Sequence, residues 1–140
     1  MTCLASGIIL YRRDGRSIRL LLLRNRDGGH WGFAKGRRVP GDAHEVETAL
    51  REVAEETGYT AMRLHPAFRR ELEYQARGAD GEGYDKRVVY FLAEAPPGEP
   101  ALSEEHDRAR WATADEAHTL LRHEQLRALA QAACLAAAEC

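Results

Sequence analysis

Cysteine is scarce in this chain of 140 residues, with only Cys3, Cys134 and Cys140 present. An odd, widely scattered count gives no disulfide framework, and no C-x-x-C pair points to zinc or redox chemistry. Cys134 lies in an alanine-rich stretch and reads as a small core residue. His106 and His118 stand at no metal-ligand spacing from another His or Cys, so no zinc site is expected. Long apolar runs are missing as well. No stretch is long enough to span a bilayer, which excludes a membrane partner of that kind. The opening residues, Met1 to Gly7, lack the basic start of a signal peptide. A reducing cytoplasm is therefore the expected compartment. Nor is there an excess of positive charge. A net charge of −2 excludes a globally basic nucleic-acid binder but leaves room for local basic patches. There is no internal repeat. What is present is ordinary for a globular protein, with 44% hydrophobic and 30% charged residues. That length and composition predict one domain over residues 1–140 with a real core.

Leu4 to Tyr11 reads as a strand followed by the turn Arg13-Asp14-Gly15. Ile18 to Leu23 is a nearly continuous apolar run, as expected for a strand buried on both faces. Trp31 to Phe33 is a short strand, and Lys35 to Asp42 a loop rich in basic and turn residues. A helix is predicted over residues 44–57, with Val46, Ala49, Leu50, Val53 and Ala54 at helical spacing. Asp42 is its candidate N-cap, and Gly58 its glycine stop. Met62 to Gln75 forms one long strand, or two joined through an interruption at Pro66. A glycine-rich loop over residues 77–84 leads to a strong strand from Lys86 to Glu94. Arg108 to Ala112 is a further strand carrying Trp111. Thr113 opens a helix to Leu121 through a capping box with Glu116, and Leu126 to Ala138 forms a terminal helix. Trp31 and Trp111 are read as packing residues. Strands, helix, strands, helices is not the βαβα alternation of a doubly wound sheet. The pattern suits an α/β fold with a mixed sheet and helices on both faces.

Within the first helix, Glu52, Glu55 and Glu56 fall three and four residues apart and share a face. Like charges at that spacing repel. Such a cluster of hard oxygen donors makes sense if divalent cations neutralise it, and magnesium prefers such ligands.

The run Arg51-Glu52-Val53-Ala54-Glu55-Glu56-Thr57-Gly58-Tyr59 resembles the second half of the Nudix box, G-x5-E-x7-R-E-U-x-E-E-x-G-U. Lys35-Gly36 resembles its opening. Three further segments, Phe68–Tyr74, Val88–Glu94 and Leu102–His106, resemble the asymmetric diadenosine tetraphosphate hydrolases within that family. The chain departs from the box in one respect. Gly36 and Glu52 are one residue further apart than the pattern has them. The extra residue falls somewhere in 37–47, so the first box glutamate corresponds to Asp42, Glu45 or Glu47. Ala34 also replaces the proline usual before Lys-Gly.

The resemblance implies a Nudix-type α/β/α sandwich and a Mg2+- or Mn2+-dependent pyrophosphohydrolase. Glu52 and Glu56 would be the main metal ligands, completed by Glu55 and the Gly36 carbonyl. Arg51 would hold the cluster in place. Glu55 and Glu105 are the candidates for general base. Lys35 and Lys86 are candidate phosphate contacts. Tyr74, Tyr90 and His30 are candidates for stacking on a base. The implied substrate is a nucleotide or dinucleotide, above all diadenosine tetraphosphate cut to ATP and AMP. Other readings stay open: the 5′-triphosphate end of RNA, with Arg24, Arg26, Lys35, Arg37 and Arg38 as a basic groove, a nucleoside triphosphate, a diphosphoinositol polyphosphate, or a nucleotide sensor without turnover.

Overall fold

A computed structural model describes residues 2–139. The apolar runs found in the sequence become the centre of a mixed sheet. Strands β1 (Thr2–Asp14) and β2 (Ser17–Asn25) form a hairpin. Next come β3 (Trp31–Gly32), β4 (Ala34–Arg37) and helix α1 (Glu45–Thr57). Strands β5 (Arg63–Arg77) and β6 (Gly83–Glu94) form a second hairpin. Strand β7 (His106–Ala112) precedes helices α2 (Ala114–Leu120) and α3 (Glu124–Ala138). The strand order is β3-β2-β1-β6-β5, with β4 on β1 and β7 on β2. The β1–β6 pair is parallel and the others are antiparallel.

Alternation on the central strands sorts their side chains into two cores. Ile9, Tyr11, Leu20, Leu22, Val88 and Leu92 face α2 and α3. Ile8, Leu10, Leu21 and Leu23 face Ala49 and Val53 of α1. Leu20 to Leu23 are each at most 2% exposed, which accounts for their lack of polar alternation. Cys134 packs against the first core, as a small residue should. Trp31 and Trp111 are partly buried against the two cores, and the Trp111 indole N–H also donates to Glu99 at 2.9 Å.

Two expectations need correction. The stretch from Lys35 was expected to be loop, yet Ala34–Arg37 pairs antiparallel with β1 between Ala5 and Ile8. It has no apolar alternation because only Ala34 enters a core, while Lys35 borders a cleft, Gly36 lies against a helix carboxylate and Arg37 faces solvent. Asp42 is not the helix cap. His44 holds that position with no side-chain cap bond, while Glu47 accepts the Ala43 N–H at 2.8 Å. Residues 63–77 form the single long strand that was one of the two readings, undivided by the segment around Pro66. That segment is an irregularity between Leu64 and Arg69 inside β5, tolerable because β5 is the edge strand. The Thr113–Glu116 capping box is present in full, and Gly58 ends α1 at a φ of 78° that a side chain would oppose.

The sheet splays along β1. Its later residues pair with β2, whereas its earlier residues pair with β4. The far end of β2 turns away to β3 and β7. A cleft of about 580 Å³ opens where they separate.

Candidate active site

Helix α1 delivers its glutamates unequally. The Glu52 side chain is 14% exposed and Glu56 is 4% exposed, whereas the Glu55 side chain is 58% exposed. Strand β4 makes the difference by running over the first two. The Lys35 backbone N–H donates to Glu56 Oε1 at 3.1 Å. Gly36 lies so close that a Cβ there would stand 2.0 Å from Glu52 Cδ. Only glycine leaves room for that carboxylate.

Arg51 ties the cluster together. It reaches Glu52 Oε1 at 2.7 Å, Glu55 Oε1 at 3.4 Å, the Arg37 carbonyl at 3.0 Å and Asp42 Oδ2 at 3.0 Å. Asp42 also accepts from the Thr48 hydroxyl at 2.8 Å and the Val39 N–H at 3.0 Å. The hydrogen bond from Arg51, reinforced by those from Val39 and Thr48, holds the Asp42 carboxyl far below the usual range. Asp42 thus takes the place of the first box acid. It keeps the G-x5 spacing from Gly36, and the extra residue falls between it and the first turn of α1. Glu45 and Glu47, the other candidates, are engaged elsewhere, Glu45 with Arg69 at 2.5 Å and Glu47 with Ala43.

The turn before β7 brings Glu105 to the same place. Oxygens of Glu56 and Glu105 and a ring nitrogen of His106 lie within 4.8 Å of one another. The sequence spacing gave no hint of His106, because one of its two partners, Glu56, comes from α1, fifty residues upstream. Burial pushes the Glu56 carboxyl up to about 8, opposed by the Lys35 N–H and reinforced by the charges of Glu105 and Glu52. Burial also raises Glu52, with Arg51 working against the shift and Glu55 and Glu105 adding to it. Acids crowded and dried in this way repel one another unless a cation is bound. The donor set of carboxylates beside a bare glycine backbone fits Mg2+ or Mn2+. Glu55 stands apart, turned to solvent and held by Arg51.

The cleft runs on from these acids. Lys35, His30 and Tyr74 line it, as do Asn25, Trp31, Gln75, His123 and Gln125. Tyr74 is 37% exposed, and Lys86 Nζ stands 5.8 Å from its ring centroid. Burial, then the neighbouring Lys35 charge, pulls the Lys86 ammonium down to about 8. His30 Nδ1 lies 3.3 Å from Arg122. Tyr90 differs from its expected role. At 2% exposure it belongs to the core, edge-on to Phe33, and forms the cleft wall rather than a free stacking face. Three members of the basic group are tied locally: Arg24 to Asp107, Arg26 to the Glu104 carbonyl and Arg38 to the Asp42 carbonyl. A larger, more open hollow of about 700 Å³, lined by Arg12, Met62 and Arg63 among others, holds none of the site residues.

This arrangement of fold, acids and glycine strand belongs to a known class. A NUDIX domain model matches residues 1–132, and the chain belongs to the NUDIX family as a Nudix hydrolase. Among its relatives, the bis(5′-nucleosyl)-tetraphosphatase [asymmetrical] of Rattus norvegicus is 42% identical, covering 94% of this chain and 92% of that protein. The C. elegans Ap4A hydrolase, in a crystallised binary complex, superposes with a TM-score of 0.84 at 30% identity. It covers 96% of this chain and 98% of that one. The dihydroneopterin triphosphate pyrophosphohydrolase of E. coli, at 21% identity and a TM-score of 0.78 over 94% of both chains, shares the fold. Among the described residues no helix is long and apolar enough to cross a membrane.

Proposed function

We propose that this enzyme cleaves diadenosine tetraphosphate asymmetrically, to ATP and AMP, with Mg2+ or Mn2+ as cofactor. The observation that carries the reading is 42% identity to an asymmetrical tetraphosphatase over 94% of the chain. Glu52, Glu56, Glu105 and the Gly36 carbonyl would hold the divalent ion, while Glu55 faces solvent beside Arg51. When bound, such an ion would supply charge neutralisation for the polyphosphate and polarisation of the phosphoryl group and the attacking water. Glu105 is the favoured general base, because it stands beside Glu56 while Glu55 faces away. Arg51 and Asp42 keep Glu52 in place, which preserves the geometry that in-line attack requires. Lys35 and Lys86 take phosphate oxygens. Tyr74 stacks on one base, and His30 borders the same cleft.

A substrate panel tests the reading. Diadenosine tetraphosphate, 5′-triphosphorylated RNA, a nucleoside triphosphate and a diphosphoinositol polyphosphate are each incubated with Mg2+ or Mn2+. Products are resolved by anion exchange. Equal amounts of ATP and AMP, at the highest kcat/KM of the panel, are expected. ADP as the sole product, or a clear preference for another substrate, refutes the assignment. Binding of the dinucleotide without turnover at any metal concentration would instead indicate a sensor.

A further inference from the structure

On either side of the turn that brings Glu105 into the cleft, three polar atoms are closed off from solvent with no hydrogen-bond partner: Ser103 Oγ, His106 Nδ1 and Asp107 Oδ1. Asp107 still satisfies its other oxygen on Arg24. The His106 imidazole is set against Glu56 and Glu105, with a ring nitrogen within 4.8 Å of an oxygen of each. Ligands of an octahedral ion with bonds of about 2.1 Å stand about 3 Å apart when adjacent and about 4.2 Å apart when opposite. Small side-chain rotations would close this trio on one ion. A buried imidazole nitrogen without a partner is costly, and a cation held by His106 Nδ1 would remove that cost. His106 holds its place through the fold itself: it pairs with Asn25 across β2–β7, and its N–H donates to the Ser103 carbonyl at 3.3 Å.

We infer that His106 is a nitrogen ligand of the ion shared by Glu56 and Glu105, biasing this position toward first-row divalent transition ions over magnesium. The inference rests on the metal reading above. Magnesium is hard and keeps oxygen ligands. Imidazole suits the transition ions.

The test uses Mn2+ as its probe, added at one equivalent to metal-free protein without nucleotide. Electron spin-echo envelope modulation then detects nitrogen bonded to the ion. The wild-type spectrum should carry one 14N coupling, and labelling with 15N-histidine should alter it. His106→Gln should abolish the coupling and weaken Mn2+ binding on the order of tenfold, with Mg2+ binding changed much less. Of the cleft residues, His30, His106 and His123 are the histidines, so His30→Gln and His123→Gln serve as controls that keep the signal. Bound Mn2+ without 14N coupling overturns the inference and leaves the proposed function standing. Equal weakening of Mn2+ and Mg2+ in His106→Gln also overturns it. No Mn2+ binding by the wild type would remove both. If His106→Gln fails to fold, the wild-type and 15N spectra decide alone.

Discussion

Glu56→Gln should make the metal-free protein more stable while destroying its activity. In the fold the Glu56 carboxyl titrates near 8 against an ordinary value of 4.5. A carboxyl raised in this way favours folding most at low pH, below its unfolded pKa. That contribution is lost as pH climbs through the folded value. At pH 7 the unfolded chain carries an ionised Glu56 that the fold holds protonated. At about 1.36 kcal/mol per pH unit, the gap between 4.5 and 7 costs roughly 3 kcal/mol relative to low pH. Glutamine is neutral at every pH, and its amide oxygen can still accept the Lys35 N–H. Most of that cost should therefore disappear. For a chain of this size the gain corresponds to a melting temperature higher by roughly 5–10 °C at pH 7 in EDTA. Differential scanning calorimetry at pH 5, 7 and 9 checks this. Wild-type protein in EDTA should melt lower at each step up in pH, with a shallower slope for Glu56→Gln. Added Mn2+ should raise the wild type, since a ligand of the folded state stabilises it, and leave the variant nearly unmoved. Turnover of the variant should fall by about a hundredfold or more. A variant that melts at or below the wild type in EDTA at pH 7 would refute the account of a strained, cation-starved acid pair.

Gly36→Ala would place a methyl on the Glu52 carboxylate. It should lower metal-dependent turnover by about tenfold or more while the far-ultraviolet circular dichroism stays that of the wild type. Glu105→Gln should cost about a hundredfold in kcat and Glu55→Gln far less, a ranking that steady-state kinetics settles and that similar losses would contradict. Tyr74→Ala should raise KM for the dinucleotide by the equivalent of roughly 1 kcal/mol with kcat little changed, as expected for lost stacking. Arg51→Lys keeps the charge but not the planar fork that spans Asp42, Glu52 and the Arg37 carbonyl. Its melting temperature should drop by a few degrees in a thermal scan, and full retention would assign Arg51 no structural role.

Much of the fold could be read from local pattern. The run Leu20 to Leu23 announced a doubly covered strand, and α1 followed from its apolar spacing and its glycine stop. Strand β4 could not be read this way. Ala34-Lys35-Gly36-Arg37 has no hydrophobic alternation, and what makes it a strand is a partner thirty residues upstream. Asp42 illustrates the same limit. Its short polar side chain ahead of a helix matches a cap, yet Arg51, one turn and more into α1, draws it inward. The box glutamates were legible because their order on one helix face is local. The cleft was only half legible. His106, His123 and Gln125 reach it from a strand start and a helix start that the chain brings back from far away, and none carries a motif that reveals its destination.

Strand β4 places three consecutive residues at three tasks. Lys35 borders the cleft, Gly36 lies on Glu52 and Arg37 offers its carbonyl to Arg51. Successive residues of a strand point to opposite sides, so gaining or losing one residue here would turn all three tasks inside out. The connection after Asp42 obeys no such parity and can absorb a spare residue. Length variation in this chain and its kin should therefore collect just before the helix and stay out of the four residues that precede Arg38.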